Sequence, residues 1–419
     1  MNHKPGQGGI HSLTLLGSSS GRNAGDAALM AAIQSAVNAA CGRTLRFEIP
    51  TIRPHYIREH FPTGAVPISM LPWALSIRML GWTTWRSILR TDLSLIFDAI
   101  LFDRALWNPL FNFMSSLHVL LPAAHRRGRR VAAYNVGLGP VRTPTGRRML
   151  KDLLELMEFI TLRDEDSHML LAELGVQNPR VLVTADAALA APACSEARAE
   201  EILQRAGVPW NGNSPRLAVN INRYLDTWAG GDERRWGADR FLNAWARALE
   251  RVVQDIGARV VFVVTQHADL NITRSLMQRV KSRAAMGVVS NTEYSHTEIK
   301  GVLGRVDLLV GMRLHAMILA SSECTPICGL AYQPKVHHYY RRIDLPSWSL
   351  GFEDFSEEAL RRLIRSAWEK RAEIRAHLET VMPRLKRLSQ VPAELIAAMD
   401  RGEDLDRALA RYRTEVNAT

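Results

Sequence analysis

Cysteine is scarce in this chain. The four thiols, Cys41, Cys194, Cys324 and Cys328, are too few and too scattered for a disulfide framework. Cys324 and Cys328 are near neighbours, yet no second Cys or His pair in zinc spacing accompanies them, so no metal site is expected and both read as small buried apolar residues. Long hydrophobic runs are missing too: nothing reaches the roughly 18 uninterrupted apolar residues of a membrane-spanning helix. The opening Met1-Asn2-His3-Lys4-Pro5-Gly6-Gln7-Gly8-Gly9 contains no apolar signal segment, and these absences together make the cytoplasm the expected location. The Walker lysine is absent, the spacing Gly17, Gly21, Gly25 is not Gly-x-Gly-x-x-Gly, and no fixed-period repeat is apparent.

What is present is a globular composition. With 419 residues, 47% apolar and 23% charged, the chain can bury two cores, and wholesale disorder is excluded. The net charge of +11 favours acidic partners such as phosphorylated metabolites, nucleic acid or an anionic membrane face. Part of that excess is His125-Arg126-Arg127-Gly128-Arg129-Arg130, directly before the apolar Val131–Val136 run. No aromatic-interleaved RNA motif or finger spacing goes with it, so it reads as a solvated loop before a strand, and nucleic acid is not an expected partner. Between 65 and 101 the chain is strongly apolar, with Trp73, Trp82 and Trp85 among Arg78, Arg86 and Arg90. Tryptophan beside arginine suits a membrane interface, but the segment has no clean amphipathic split, and a core helix or a lid is the favoured reading.

The most informative stretch is Gly311-Met312-Arg313-Leu314-His315-Ala316, which follows the apolar run Val306–Val310. A short aliphatic run bounded by Gly predicts a buried parallel strand, and 316–322 continues as a helix of small and apolar residues. Arg313 and His315 then stand at the carboxyl end of a strand, where open α/β sheets bind ligands and helix N-termini favour anions. An arginine offers a permanently charged planar fork for phosphate or carboxylate, and a histidine exchanges a proton near neutral pH. Thr325-Pro326-Ile327-Cys328-Gly329-Leu330 and Tyr332-Gln333-Pro334-Lys335 follow. This whole segment resembles the C-terminal motif of the polysaccharide pyruvyl transferase family, in which Arg-Leu-His opens a helix and a Thr-Pro strand leads to a Tyr-x-x-Lys loop. Asn23-x-Gly25-Asp26, before an Ala-rich helix read as 27–40, is similar to the family's N-terminal signature, although by spacing alone Asn23 and Asp26 are helix caps. Arg163-Asp-x-x-Ser167, Leu174-Gly175-Val176 and Asp186 resemble its middle section. The family's Gly-Gly-Gly turn is replaced by 98–104, where Asp98 and Asp103 remain as carboxylates near a strand end.

The rest of the chain reads as two α/β series. The first opens with a strand at 10–16, treats 47–61 as irregular, and ends with 181–189; the second runs from a strand at 217–221 through the Arg313 motif. Helical periodicity returns from Ser356, with a break at Pro383. The expected architecture is therefore two Rossmann-like domains facing a cleft, 1–200 on the acceptor side and 201–355 carrying the donor motif, with C-terminal helices over 356–419. The resemblance implies the same glycosyltransferase-B-like fold. It also implies transfer of pyruvate from phosphoenolpyruvate onto two sugar hydroxyls as a cyclic ketal, for an exopolysaccharide or cell-surface glycan. The expected catalytic groups are His315, Asp98 and Asp103; the donor-binding ones are Arg313, Leu314, Lys335 and Arg163. Asn23, Asp26, Asp186, His267 and Tyr332 complete the expected cleft. Phosphoenolpyruvate and a sugar or lipid-linked saccharide are the expected partners, with no cofactor or metal. An anionic surface at the inner face of the cytoplasmic membrane is a further candidate. Two other readings stay open: a nucleotide-sugar glycosyltransferase of the same fold, and a catalytically silent glycan-binding relative.

Overall fold

The computed structural model of the chain describes residues 9–61, 63–69, 81–108, 112–209, 215–223, 237–282 and 285–417. It divides into two compact units, one of residues 1–21, 29–190 and 385–419, the other of residues 22–28 and 191–384.

The first unit holds β1 (Ser12–Leu16), α1 (Ala24–Cys41) from residue 29 onward, β2 (Arg46–Thr51), α2 (Pro54–His60), β3 (Ala65–Ser69), α3 (Trp82–Arg90) and β4 (Leu93–Phe97). It continues with α4 (Met114–His125), β5 (Arg130–Val136), α5 (Pro144–Glu155), β6 (Ile160–Leu162), α6 (Glu165–Glu173) and β7 (Val181–Val183). The strands are short aliphatic runs, mostly buried on both faces, as helix-covered parallel sheets require. They form one parallel seven-stranded sheet in the order β3-β2-β1-β4-β5-β6-β7. The apolar stripe on α5 is buried through Leu150, Leu153 and Leu154, in one apolar cluster with Ile88 of α3 and Leu117 and Leu121 of α4. Thr143 caps α5 by accepting from the Gly146 amide at 3.0 Å.

The second unit holds α7 (Glu196–Arg205), β8 (Arg216–Asn220), α8 (Ala238–Ile256), β9 (Arg259–Val264), α9 (Leu270–Arg279), β10 (Met286–Ser290) and α10 (His296–Leu303). After these come β11 (Leu308–Gly311), α11 (Leu314–Ser322), β12 (Ile327–Ala331), α12 (Pro334–Arg342), β13 (Ser349–Gly351) and α13 (Glu357–Glu369). Six parallel strands run in the order β10-β9-β8-β11-β12-β13. Phe241, Trp245, Leu249 and Val252 bury one face of α8, which ends where Gly257 takes φ 66°, a left-handed C-cap that costs glycine little. Ser295 and Glu298 form a capping box that starts α10. α11, apolar almost all round, is buried almost throughout.

Several expectations are corrected. Residues 47–61 are not irregular: the burial of Phe47 and Ile49 makes β2, and Pro54 at the first helical position starts α2. Pro383 does not break the C-terminal helix, because α14 (Arg371–Asp400) runs through it; Met382, Leu385 and Leu388 are buried around the proline and their packing offsets its cost of about 3 kcal/mol. Nor is 356–419 one segment: 385–400 of α14 and α15 (Leu405–Asn417) group with the first unit, while the chain before residue 385 groups with the second. The expected boundary after residue 200 likewise falls inside α7. The lid expected near 65–101 includes residues 70–80, which lie outside the described residues; the remainder forms β3, α3 and β4.

Candidate functional site

In the second sheet the strand order reverses between β8 and β11, where parallel α/β sheets open a crevice beyond their carboxyl ends. Asn220 ends β8 beside Gly311 and ties the two strands together. Its side-chain amide donates to the Val263 carbonyl at 2.8 Å, and its Oδ1 accepts from the Arg313 amide at 3.1 Å. Arg313 is thereby held in extended backbone, φ −76° and ψ 127°, just before α11. Its guanidinium grips Asp269 with both arms, Nε to Oδ2 at 2.5 Å and Nη2 to Oδ1 at 2.8 Å, and Nη2 also donates to Asn222 Oδ1 at 3.1 Å. Asp269 is wholly buried and the Arg313 side chain is 14% exposed. Tyr332, just beyond β12, bonds to Asn222. Burial raises its phenol pKa, Asp269 adds to the rise, and Arg313 and the Asn222 bond oppose it, so at neutral pH this hydroxyl keeps its proton.

His315 is the second residue of α11. A sequence-distant segment of the same unit packs against it. The Arg22 carbonyl accepts from the His267 amide at 2.9 Å and from Asn291 Nδ2 at 3.1 Å, Asn23 bridges Gln266 antiparallel, and the Ala24 amide donates to the Thr265 carbonyl at 2.8 Å. Asn23 Oδ1 accepts from the Gly25 amide at 2.9 Å and so caps α1, which starts at Ala24, one turn before the expected residue 27. Gly25 meets the imidazole so closely that a Cβ there would lie 2.1 Å from His315 Cγ. The Asp26 carboxylate stands 4.0 Å from His315 Nδ1, with the two side chains 14% and 12% exposed. The His267 ring Nε2 faces the Asn291 carbonyl at 3.0 Å.

The remaining expected residues separate. Lys335 lies in the first turn of α12, a helix rather than the expected loop, because Pro334 occupies its first position. Leu314 is buried among apolar residues. Arg163 and Asp186 belong to the first unit, where Arg163 Nη1 donates to Asp186 Oδ2 at 3.1 Å and Nε lies 3.5 Å from Asp164. Burial opposes the Arg163 charge, but Asp186, Asp164 and Asp98 outweigh it and raise its pKa. Asp98 ends β4 at the reversal of the first sheet, in left-handed backbone with φ 68°, its Oδ1 accepting from the Ala99 amide at 2.6 Å. Asp103 anchors a loop: its Oδ2 accepts from the amides of Arg142 and Thr143 at 2.8 and 2.6 Å and braces the start of α5.

Asp269 and Gly25 are the residues that sequence reasoning missed. The only signal for Asp269 was a carboxylate just after a strand end. Among the described residues no group of three His, Cys, Asp or Glu side chains is set to hold a metal, and no helix is long and apolar enough to cross a membrane. The second unit thus presents one imidazole beside one carboxylate, next to a cation already anchored on its own aspartate. That combination suits transfer of a proton to or from an anionic or hydroxyl-bearing ligand.

No curated protein matches the chain. Solved structures do match in fold. A UDP-GlcNAc 2-epimerase from Neisseria meningitidis, bound to UDP-GlcNAc, is 12% identical with a TM-score of 0.61 over 91% of this chain and 98% of its own. MnaA from S. aureus, in a co-structure with UDP, gives 11% identity and 0.63 over 93% and 96%. Alr3699/HepE from Anabaena in complex with UDP gives 12% and 0.53 over 98% and 100%. These likenesses establish the glycosyltransferase-B-like fold, two parallel-sheet α/β units with helices. A family model matches residues 23–334, a span opening on the Asn23 cap and closing at Pro334, so it takes in both the Gly25–Asp26 segment and the Arg313-Leu314-His315 turn: the chain belongs to the polysaccharide pyruvyl transferase family.

Proposed function

We propose that the protein transfers pyruvate from phosphoenolpyruvate onto two hydroxyls of a sugar, forming a cyclic ketal during synthesis of an exopolysaccharide or other cell-surface glycan in the cytoplasm. The observation that carries this reading is His315, an imidazole in the first turn of α11, packed on Gly25 and 4.0 Å from the Asp26 carboxylate in a chain of this family. In the reaction the methylene carbon of the donor gains a proton and the neighbouring carbon takes on oxocarbenium character. One sugar hydroxyl bonds to that carbon and loses its proton, the carbon–oxygen bond to phosphate breaks, and the second hydroxyl closes the ring. The two hydroxyl protons balance the one gained by the methyl group and the one taken by phosphate. Imidazole is suited to both deliveries because each of its forms is populated near neutral pH.

Asp26 is the carboxylate that faces the His315 ring, 4.0 Å from Nδ1. Arg313, held by Asp269 and Asn222, supplies a fixed cation at the helix start, and the nearby first turn of α12 adds Lys335 for the donor's phosphate or carboxylate. No cofactor is required by these bond changes, because phosphoenolpyruvate itself carries the activated group. Asp98, in strained backbone at the reversal of the first sheet, is the candidate for receiving a hydroxyl proton.

A second reading, transfer from a nucleotide sugar, draws on the fold shared with proteins solved with UDP or UDP-GlcNAc. One experiment separates the two: incubate the protein with phosphoenolpyruvate, and separately with UDP-sugars, over a panel of lipid-linked and nucleotide-linked sugars, and analyse products by mass spectrometry. Ketal formation with release of one phosphate, lost in His315→Asn, is the expected result. Glycosyl transfer from a UDP-sugar with no ketal overturns it.

A further inference from the structure

Charge is unevenly distributed in the first unit. From Arg104 to Lys151 the chain carries no Asp or Glu, while nine of its residues are Arg or Lys. Residues 60–91 also lack a carboxylate side chain. These two stretches contribute α3, α4 and α5, whose inner faces share one apolar cluster against the sheet. α3 and α4 therefore carry no Asp or Glu, and α5 carries none before Asp152.

Topology decides which side chains reach the rim of that layer. In a parallel sheet each helix begins near the carboxyl edge of the strand before it. The start of α3, the loop between β4 and α4, and the start of α5 all gather at that edge of the first sheet, on the side where Asp98 ends β4. Trp82 is the first residue of α3 and is 63% exposed; Trp107 lies in the loop before α4 and is 71% exposed. Arg86, Arg104, Arg142 and Arg148 are exposed beside them. Arg90 pairs with Glu48 at 2.8 Å, and Arg127 covers the Trp85 ring at 5.5 Å. Indole rings and guanidinium groups at one rim, where the neighbouring Asp103 carboxylate is buried against the Arg142 and Thr143 amides, fit the headgroup region of an anionic bilayer. A saccharide platform would set polar amides or carboxylates around its aromatic rings.

We infer that this rim is a docking surface for an anionic lipid bilayer, with Trp82 and Trp107 entering the headgroup layer and the surrounding arginines holding lipid phosphates. The surface sits at the ligand-binding edge of the first sheet, so an acceptor carried on a lipid reaches the crevice without leaving the membrane. This holds whichever donor the second unit uses.

The test is flotation of the full chain with vesicles of phosphatidylcholine alone and of phosphatidylcholine mixed with phosphatidylglycerol. Binding is expected to the anionic vesicles only, and to be released by raised salt. Each Arg→Gln change at Arg104 or Arg148 is expected to weaken partitioning about fivefold. Trp82→Ser with Trp107→Ser is expected to lower the floating fraction further, with melting temperature and turnover of a soluble acceptor unchanged. Failure to float at low salt overturns the proposal. So does flotation that the tryptophan pair and both arginine changes leave intact, which places the contact elsewhere. Loss of binding to a soluble glycan in the tryptophan pair, with flotation preserved, reassigns the rim to saccharide.

Discussion

Two arginines at strand ends invite comparison, Arg163 in the first unit and Arg313 in the second. Each is held by a buried aspartate, Asp186 or Asp269. Arg163 is 6% exposed and stacked so tightly on Gly137 that a Cβ there would lie 2.7 Å from its Nε, with Asp164 as a second carboxylate neighbour. Arg313 also donates to Asn222, to which Tyr332 bonds, and two residues on stands His315 with Asp26 beside it. The difference teaches that an Arg–Asp pair at a strand end is not by itself a ligand site. What separates the two is an adjacent group able to exchange a proton, and in the second unit that group is His315.

The comparison can be broken first at His315. His315→Asn keeps a hydrogen-bonding side chain but no proton exchange near neutral pH, so turnover is expected to fall about 10²–10⁴-fold with donor binding and melting temperature little changed. Near-normal turnover in a folded variant removes the proposed site. The aspartates sharpen it next. Asp186→Ala and Asp269→Ala each leave a buried guanidinium without its carboxylate, and each is expected to cost about 3–5 kcal/mol in denaturant unfolding. Only Asp269→Ala is expected also to lower the turnover of the remaining folded enzyme; an equal loss in both makes the two arginines equivalent.

Gly25→Ala places a methyl group against the imidazole. Displacement of the ring by about 1 Å is expected to reduce turnover on the order of 10²-fold, read by steady-state kinetics alongside unchanged circular dichroism. Unaltered kinetics mean that the contact does not position His315. The smallest effect is expected at Cys328, wholly buried on β12, where burial pushes the thiol pKa up. The group stays protonated at neutral pH, so iodoacetamide is expected to leave it unmodified in the native protein. Cys328→Ala is expected to cost about 1 kcal/mol with turnover unchanged, which thermal melting and the product assay check together.

Legibility followed the range of the physics. β11 and α11 were readable because a run of Leu and Val ending in Gly, then small apolar residues, is a local pattern, and it placed Arg313 and His315 at a strand end. The partners of the site were not. Asp269 and Asn220 reach Arg313 only because β8, β9 and β11 come together in the sheet, and Gly25 and Asp26, to which the family resemblance but not residue spacing pointed, reach His315 across most of the chain. Pro383 misled because a local helix-breaking preference was outweighed by the burial of Met382 and Leu385.

Taken alone, the sequence determined the alternation of strands and helices, the two α/β series, the reactive turn at Arg313-Leu314-His315 and the basic excess, since each rests on residue type and spacing along the chain. Tertiary structure alone decided that residues 22–28 join the second unit, that Asp269 holds the Arg313 fork, that Asp103 braces a loop, and that Trp82 and Trp107 face solvent. Those outcomes depend on which distant groups meet once the sheets form, and on how each buried charge finds its partner.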